Sequence, residues 1–227
     1  MNIQQNKTIT VFGDSISKGV VYDGAKKKYS LRKNHGYSIL NEHGFTVQNF
    51  AKMGATVNKG FEIMQSRLKS AEKSDIMILE FGGNDCDFFW ADIAADPNGE
   101  HLPKTPINDF EATYSKMIEL AKKNAKKIYM MNLLPLDADK YFEFISNFGS
   151  PENILKWLGD KYILYRYNEW YSHTVEKIAQ KHNVELIDAR SEYLHRQDFK
   201  SLYCDDGIHP SQKGYEILDN KLLEVLK

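Results

Sequence analysis

Nowhere in the chain do about 18 apolar residues run together, the length a helix needs to cross a bilayer core, so no stable membrane insertion is expected. The opening M-N-I-Q-Q-N-K-T-I-T has no basic stretch followed by an apolar one, the pattern of a secretory signal, and a cytoplasmic protein is expected. A surplus of either charge is missing too. Lys plus Arg number 30 against 31 Asp plus Glu, whereas duplex-binding proteins show a clear basic excess, so no nucleic-acid partner is expected. Two cysteines, Cys86 and Cys204, are too few for a disulfide framework. No internal repeat, low-complexity tract or Gly/Ser linker divides the chain. Its 227 residues, 42% of them hydrophobic, are enough for one substantial core and short for two, so one domain over 1–227 is expected.

Five short segments rich in Ile, Val, Phe and Met, bounded by polar or turn residues, read as buried strands: 8–13, 45–50, 75–81, 127–133 and 184–188. Between them lie stretches of helical period, from Gly36 to His43, Val57 to Ala71, Ile107 to Asn124, Asp160 to His182 and Ser211 to Leu226. In the last of these Ser211 is a ready N-cap, and Tyr215, Leu218, Leu222, Leu223 and Leu226 form one apolar stripe. Such alternation predicts an α/β protein, a flavodoxin-like three-layer α/β/α sandwich around a central five-stranded parallel sheet. Two segments, near 85–106 and 136–159, are longer than ordinary connections and read as irregular insertions.

In an open parallel sheet, ligands bind beyond the carboxyl ends of the strands, so the informative residues are those just after each strand. They are Gly13-Asp14-Ser15, then the run from Asn49 to Gly54, then Gly82-Gly83-Asn84-Asp85, and, before the last helix, Asp205-Asp206-Gly207-Ile208-His209-Pro210. Ester hydrolysis by a serine needs a hydroxyl, a base to take its proton, a carboxylate to orient the base, and donors for the developing oxyanion. Each part can be supplied. Ser15 is the candidate nucleophile, His209 the base and Asp206 the carboxylate that fixes its tautomer. The backbone N–H groups of Ser15 and Gly54, with the Asn84 amide, are candidate oxyanion donors. Every one of these residues also has a structural reading. Ser15 and Asn84 can cap helices, Gly54 can serve a turn, and Asp206 and His209 can build the turn before Pro210. The order and shared sheet edge of all five are what favour chemistry.

G-D-S near the start, N-x-x-x-x-G after the second strand, G-G-N-D after the third and D-G-I-H-P near the end resemble the four blocks of the SGNH, or GDSL-type, serine hydrolases. The blocks span Gly13 to Pro210. The resemblance implies a serine esterase or lipase-like acylhydrolase with Ser15, Gly54, Asn84 and His209 as the eponymous residues and Asp206 completing a triad. The G-x-S-x-G elbow of larger hydrolases is absent, since position 17 is Ser.

No metal or other cofactor is expected. Asp14, Asp85, Asp205, Asp206 and His209 are carboxylate-rich, but no H-E-x-x-H or paired-His spacing accompanies them. The expected partner is a small-molecule ester with an acetyl or short acyl group, carbohydrate acetyl esters and lysophospholipids among them. The alternatives are a non-hydrolytic carbohydrate-binding protein on the same scaffold and acyl transfer to an acceptor other than water. Phe88, Phe89 and Trp90 follow the Asn84 block directly, so they either line the substrate site or anchor the long loop to the core.

Overall fold

The computed structural model describes residues 7–35, 37–69 and 72–227. Its first half runs β1 (Thr8–Gly13), α1 (Ser15–Lys18), β2 (Val20–Asp23), β3 (Lys28–Leu31), α2 (Ser38–Glu42), β4 (Thr46–Asn49), α3 (Val57–Arg67) and β5 (Ser74–Glu80). The second runs α4 (Trp90–Ala95), α5 (Ile107–Asn124), β6 (Ala125–Met131), α6 (Ala138–Ile145), α7 (Pro151–Leu158), α8 (Ile163–His182), β7 (Glu185–Ile187), α9 (Ala189–Leu194) and α10 (Gln212–Leu226).

Five strands form one parallel sheet in the order β4-β1-β5-β6-β7, and β2 and β3 form a separate antiparallel pair. This is the flavodoxin-like order, with the reversal of direction between β1 and β5, where a doubly wound sheet opens its ligand crevice. Because side chains alternate across a strand, Ile9 and Val11 of β1 and Ile76 and Ile78 of β5 face one layer, packing with Leu40, Tyr215, Leu218 and Leu222. Phe12, Met77 and Leu79 face the other, packing with Met64, Phe110, Tyr114, Met117, Tyr171 and Val175. β1 and β5 are buried along nearly their whole length because both faces are covered.

The expected strand positions agree with the sheet to within two residues. The sixth strand starts at Ala125, earlier than its apolar run, because Lys126 and Lys127 enter the ladder with exposed side chains. Residues 1–6 of the opening stretch, Gly36 at the expected start of α2, and residues 70–71 at the expected end of α3 lie outside the described residues. The β2–β3 hairpin was not expected. Both long insertions hold helices: α4 in the first, and α6, a 3₁₀ turn over Ser146–Phe148 and α7 in the second. They pack on each other and on the start of α8 through Phe88, Trp90, Ile93, Tyr141, Ile154 and Leu164, a third apolar cluster above the sheet. Pro151 at the first position of α7, with Ser150 capping it, shows why a turn-like N-F-G-S-P run begins a helix. Among the described residues no helix is long and apolar enough to cross a membrane.

Candidate active site

β1 ends at Gly13, and the chain turns at once into the single helical turn of α1. Asp14, not Ser15, is the N-cap: its Oδ1 accepts from the Ile16 N–H at 2.8 Å. Ser15 is therefore the first helical residue, and its hydroxyl is not spent on capping. The helix stops after four residues at Gly19, whose left-handed φ of 81° closes it. A helix so short adds little macrodipole, so what it offers an anion is the Ser15 N–H itself.

Asn49, at the end of β4, bonds through its amide to the Ser17 carbonyl at 2.8 Å, tying the second block to the first. The following turn reaches Gly54, whose φ of +73° few side chains tolerate. Among the described residues neither the Ser15 nor the Gly54 N–H meets an intramolecular acceptor. Beyond β5, Asn84 donates to Asp14 Oδ2 at 2.9 Å and to the Ala55 carbonyl at 3.2 Å. Its amide thus bridges the first and second blocks. Asp85, fully buried, accepts from the Val57 N–H at 2.9 and 3.1 Å. It anchors the start of α3, and burial raises its carboxyl to about 7.

The last block holds the candidate base, His209. Asp206 Oδ2 lies 2.6 Å from His209 Nδ1, and Oδ1 accepts from the His209 N–H at 3.1 Å. An ionised carboxylate can only accept, so Nδ1 carries the proton and Nε2 presents its lone pair. Nε2 is buried and has no hydrogen-bond partner among the described residues. Asp205 does something else: Oδ2 accepts from the Gly24 N–H at the tip of the β2–β3 hairpin, at 3.2 Å. Gly207, at φ +74°, lets this turn lie against α6, where a Cβ would come within 2.6 Å of the Asp137 carbonyl. Among the described residues no cluster of three or more metal-ligating side chains is present.

Two cavities meet at Ser15, Asn84 and His209. The inner one, about 90 Å³, runs between the strand ends and the insertion helices and is lined by Leu133, Leu134, Leu136, Leu164 and Tyr167. The outer one, about 430 Å³, is walled by Tyr29, Met53, Phe89, Lys104, Phe144 and Phe148. Phe88 and Trp90 line both while remaining almost wholly buried, whereas Phe89 points outward and is 61% exposed. Phe88 and Trp90 thus anchor the loop and line both cavities at once, while Phe89 lines only the outer one. Trp90 is held by Asp87, which accepts from its indole N–H at 2.8 Å, from the Tyr141 hydroxyl and from Lys104 at 2.7 Å.

Sequence reasoning missed Tyr29. Its ring meets His209 edge-on at 5.3 Å between centroids, and no motif surrounds it. Tyr141 lies in the second insertion, and nothing around it in the sequence marks Asp87 as its partner.

Solved structures of similar fold include a lipase/acylhydrolase from Enterococcus faecalis, 17% identical with a TM-score of 0.67 over 97% of this chain and 95% of the other. A catalytic mutant of an acetylxylan esterase from Geobacillus stearothermophilus is 21% identical, with a TM-score of 0.63 over 99% and 95%. TesA is 20% identical, at 0.61 over 97% and 98%. A sequence search of curated proteins returns no match. The model of the GDSL-like lipase/acylhydrolase family matches residues 11–217, from within β1 to within α10. On that match, and with a fold shared by hydrolases of the same kind, the chain belongs to the GDSL-like lipase/acylhydrolase family.

Proposed function

We propose that the protein is a serine esterase that hydrolyses short-chain carboxylic esters through an acyl-enzyme on Ser15. The observation that carries this reading is His209: one ring nitrogen is bonded to buried Asp206, and the other is buried, unpartnered and beside the cavity that Ser15 lines. A histidine serving only the turn before Pro210 would have no use for a dry, vacant lone pair.

In this mechanism Nε2 takes the Ser15 proton as Oγ attacks the ester carbonyl, and the imidazolium that forms is stabilised by Asp206. The oxyanion is received by the Ser15 and Gly54 N–H groups and by the Asn84 amide, whose longer contact, to Ala55, gives way. His209 then returns the proton to the leaving alcohol. Water, deprotonated by the same nitrogen, attacks the acyl-enzyme and releases the acid.

The cavities support a division of the substrate. The acyl group goes into the inner, leucine-rich one, and the alcohol lies in the outer, wider one. An apolar cavity of about 150 Å³ holds benzene. The inner space, about 90 Å³, suits an acyl chain of about four carbons or fewer on the same scale. That favours acetyl to butyryl esters over long-chain lipids.

A labelled fluorophosphonate tests the nucleophile, and p-nitrophenyl esters from acetyl to octanoyl test the acyl side. Ser15 is expected to be the labelled residue, with kcat/KM highest at four carbons or fewer. Ser15→Ala should fold normally and lose several orders of magnitude in kcat. Equal turnover by that variant would refute the mechanism.

A further inference from the structure

Beneath Ser15 lies an acidic residue that the mechanism leaves unused. Glu80 closes β5, sits in an otherwise apolar run and is 5% exposed. Its Oε2 accepts from the Asp14 N–H at 3.2 Å, the Ser17 N–H at 3.3 Å and the Ser17 hydroxyl at 2.8 Å. These donors bracket Ser15 from both sides. The fit is close, since a Cβ on Gly13 would come within 2.5 Å of Ser17 Oγ and 2.9 Å of Glu80 Oε2. Tyr37 donates in turn to the Ser17 hydroxyl at 2.9 Å, extending the chain to the segment before α2.

Asp14 is the second buried carboxyl here, 1% exposed, and it holds Ile16 and Asn84. Each of these donors to the two carboxyls is neutral: backbone N–H, hydroxyl or amide. Two adjacent carboxyls in a dry site without a cation cannot both ionise, so they share one proton. Burial raises both, and the charge on Asp14 raises Glu80 further, well above the usual carboxylate range, so Glu80 is the one that keeps the proton. The other titratable groups facing the pair are Tyr37, Tyr114 on α5, Tyr215 on α10, Asp85 and His209. Burial holds the three phenols neutral. Arg32, over Tyr215, is committed to Asp219.

We propose that Glu80 is a positioning residue for the chemistry at Ser15, a buried side chain that clamps the Asp14–Ser17 turn to the end of β5. It rests on the esterase reading above. The clamp holds both ends of the turn, and through Asp14 it also steadies Asn84, so nucleophile and oxyanion donor keep one alignment. A displacement of about 1 Å at such a centre costs on the order of 100-fold in rate.

Protonated Glu and Gln have nearly the same shape, and a Gln carbonyl can accept the same donors. The test therefore compares Glu80→Gln, Glu80→Ala and Ser17→Ala by kcat and KM on p-nitrophenyl butyrate and by the rate of fluorophosphonate labelling, with thermal unfolding alongside. Glu80→Gln should keep kcat within about threefold of the parent. Glu80→Ala should lose about 10- to 100-fold in kcat with KM nearly unchanged, the mark of a misaligned centre. If Glu80→Ala does not fold, Ser17→Ala takes its place, with an expected loss of about tenfold in kcat. Parent-like kcat in the alanine variant that is read, or a fall in Glu80→Gln as deep as in Glu80→Ala, overturns the inference while leaving the esterase reading intact. A parent enzyme that neither labels at Ser15 nor cleaves the ester overturns that reading, and this inference with it.

Discussion

The ring of Tyr29, on the small hairpin outside the main sheet, meets the imidazole of His209 edge-on with 5.3 Å between centroids. The hairpin is fixed there by the Gly24 N–H to Asp205 bond and by Tyr22, which packs on Phe144. Its Tyr29 forms one wall of the outer cavity and covers one side of His209. Tyr29→Ala should lower kcat/KM by about three- to tenfold, the worth of an edge-to-face contact of about 1 kcal/mol. Tyr29→Phe should retain it, because the ring and not the hydroxyl makes the contact. Steady-state kinetics on a short ester, with thermal unfolding as control, decides between them.

Asp206 and Asp205 are adjacent yet differently employed, which gives a second comparison. Asp206→Asn turns the carboxylate into an amide that favours the wrong imidazole tautomer, and a loss of about 10⁴ in kcat is expected. Asp205→Asn changes only the hairpin's anchor and should stay within a few-fold of the parent. Similar losses in the two variants would contradict the assignment of the orienting carboxylate.

The inner cavity yields a chain-length prediction. Leu164→Phe fills it and should shift the preferred ester from butyryl toward acetyl, at an overpacking cost of about 1–3 kcal/mol. Tyr167→Ala enlarges it and should raise the relative rate on hexanoyl and octanoyl esters. Ratios of kcat/KM across the acyl series are the readout, and an unchanged ratio in both variants would place the acyl group elsewhere.

Asp85 gives stability a pH dependence. Its carboxyl is raised to about 7, first by burial and further by Asp14, against the lowering hydrogen bond from the Val57 N–H. The folded protein thus binds this proton more tightly than the unfolded chain, whose Asp titrates near 4. The stabilisation is fully present below about pH 4 and is lost as pH rises through about 7, a change on the order of 4 kcal/mol from this group. Asp85→Asn should flatten that slope in urea unfolding curves recorded between pH 4 and 8.

Arg32 and Asp219 form a two-pronged pair, both bonds 2.7 Å, with side chains 4% and 13% exposed. The guanidinium also lies over the Tyr215 ring. Arg32→Ala leaves a carboxylate stranded and should cost about 3–5 kcal/mol in chemical denaturation. Adding Asp219→Ala should recover part of that, because the stranded charge is then removed as well.

The sheet was legible because β1, β5 and β6 are buried on both faces and spell themselves as apolar runs, as in T-I-T-V-F and D-I-M-I-L. The residues gathered at the site were legible because a parallel sheet sends each strand's trailing residues to one edge. The β2–β3 hairpin escaped notice because only Val20 of it is buried, and K-K-K-Y-S-L reads as a solvated stretch. The second insertion looked irregular because its helices are short and begin on capping residues, Asp137 and Ser150, that also mark turns. Asp14 took the capping role that Ser15 was equally suited to by type, and only the backbone geometry separates the two. Glu80 gave no warning, since one charged letter at the end of M-I-L-E-F does not reveal which face it enters.

Three bonds tie the last quarter of the chain to its beginning: Gly24 to Asp205, Arg32 to Asp219, and Val20 to Tyr215, each more than 180 residues apart. During synthesis, a ribosome that has made all five sheet strands has still not made His209, the Asp206 carboxylate bonded to it, or α10, which packs on one face of β1. Such late, non-local closure is slow compared with local folding. The nascent chain carries Ser15 early but lacks its proposed base until the last block emerges, so on the esterase reading the catalytic centre and the covered sheet are completed together.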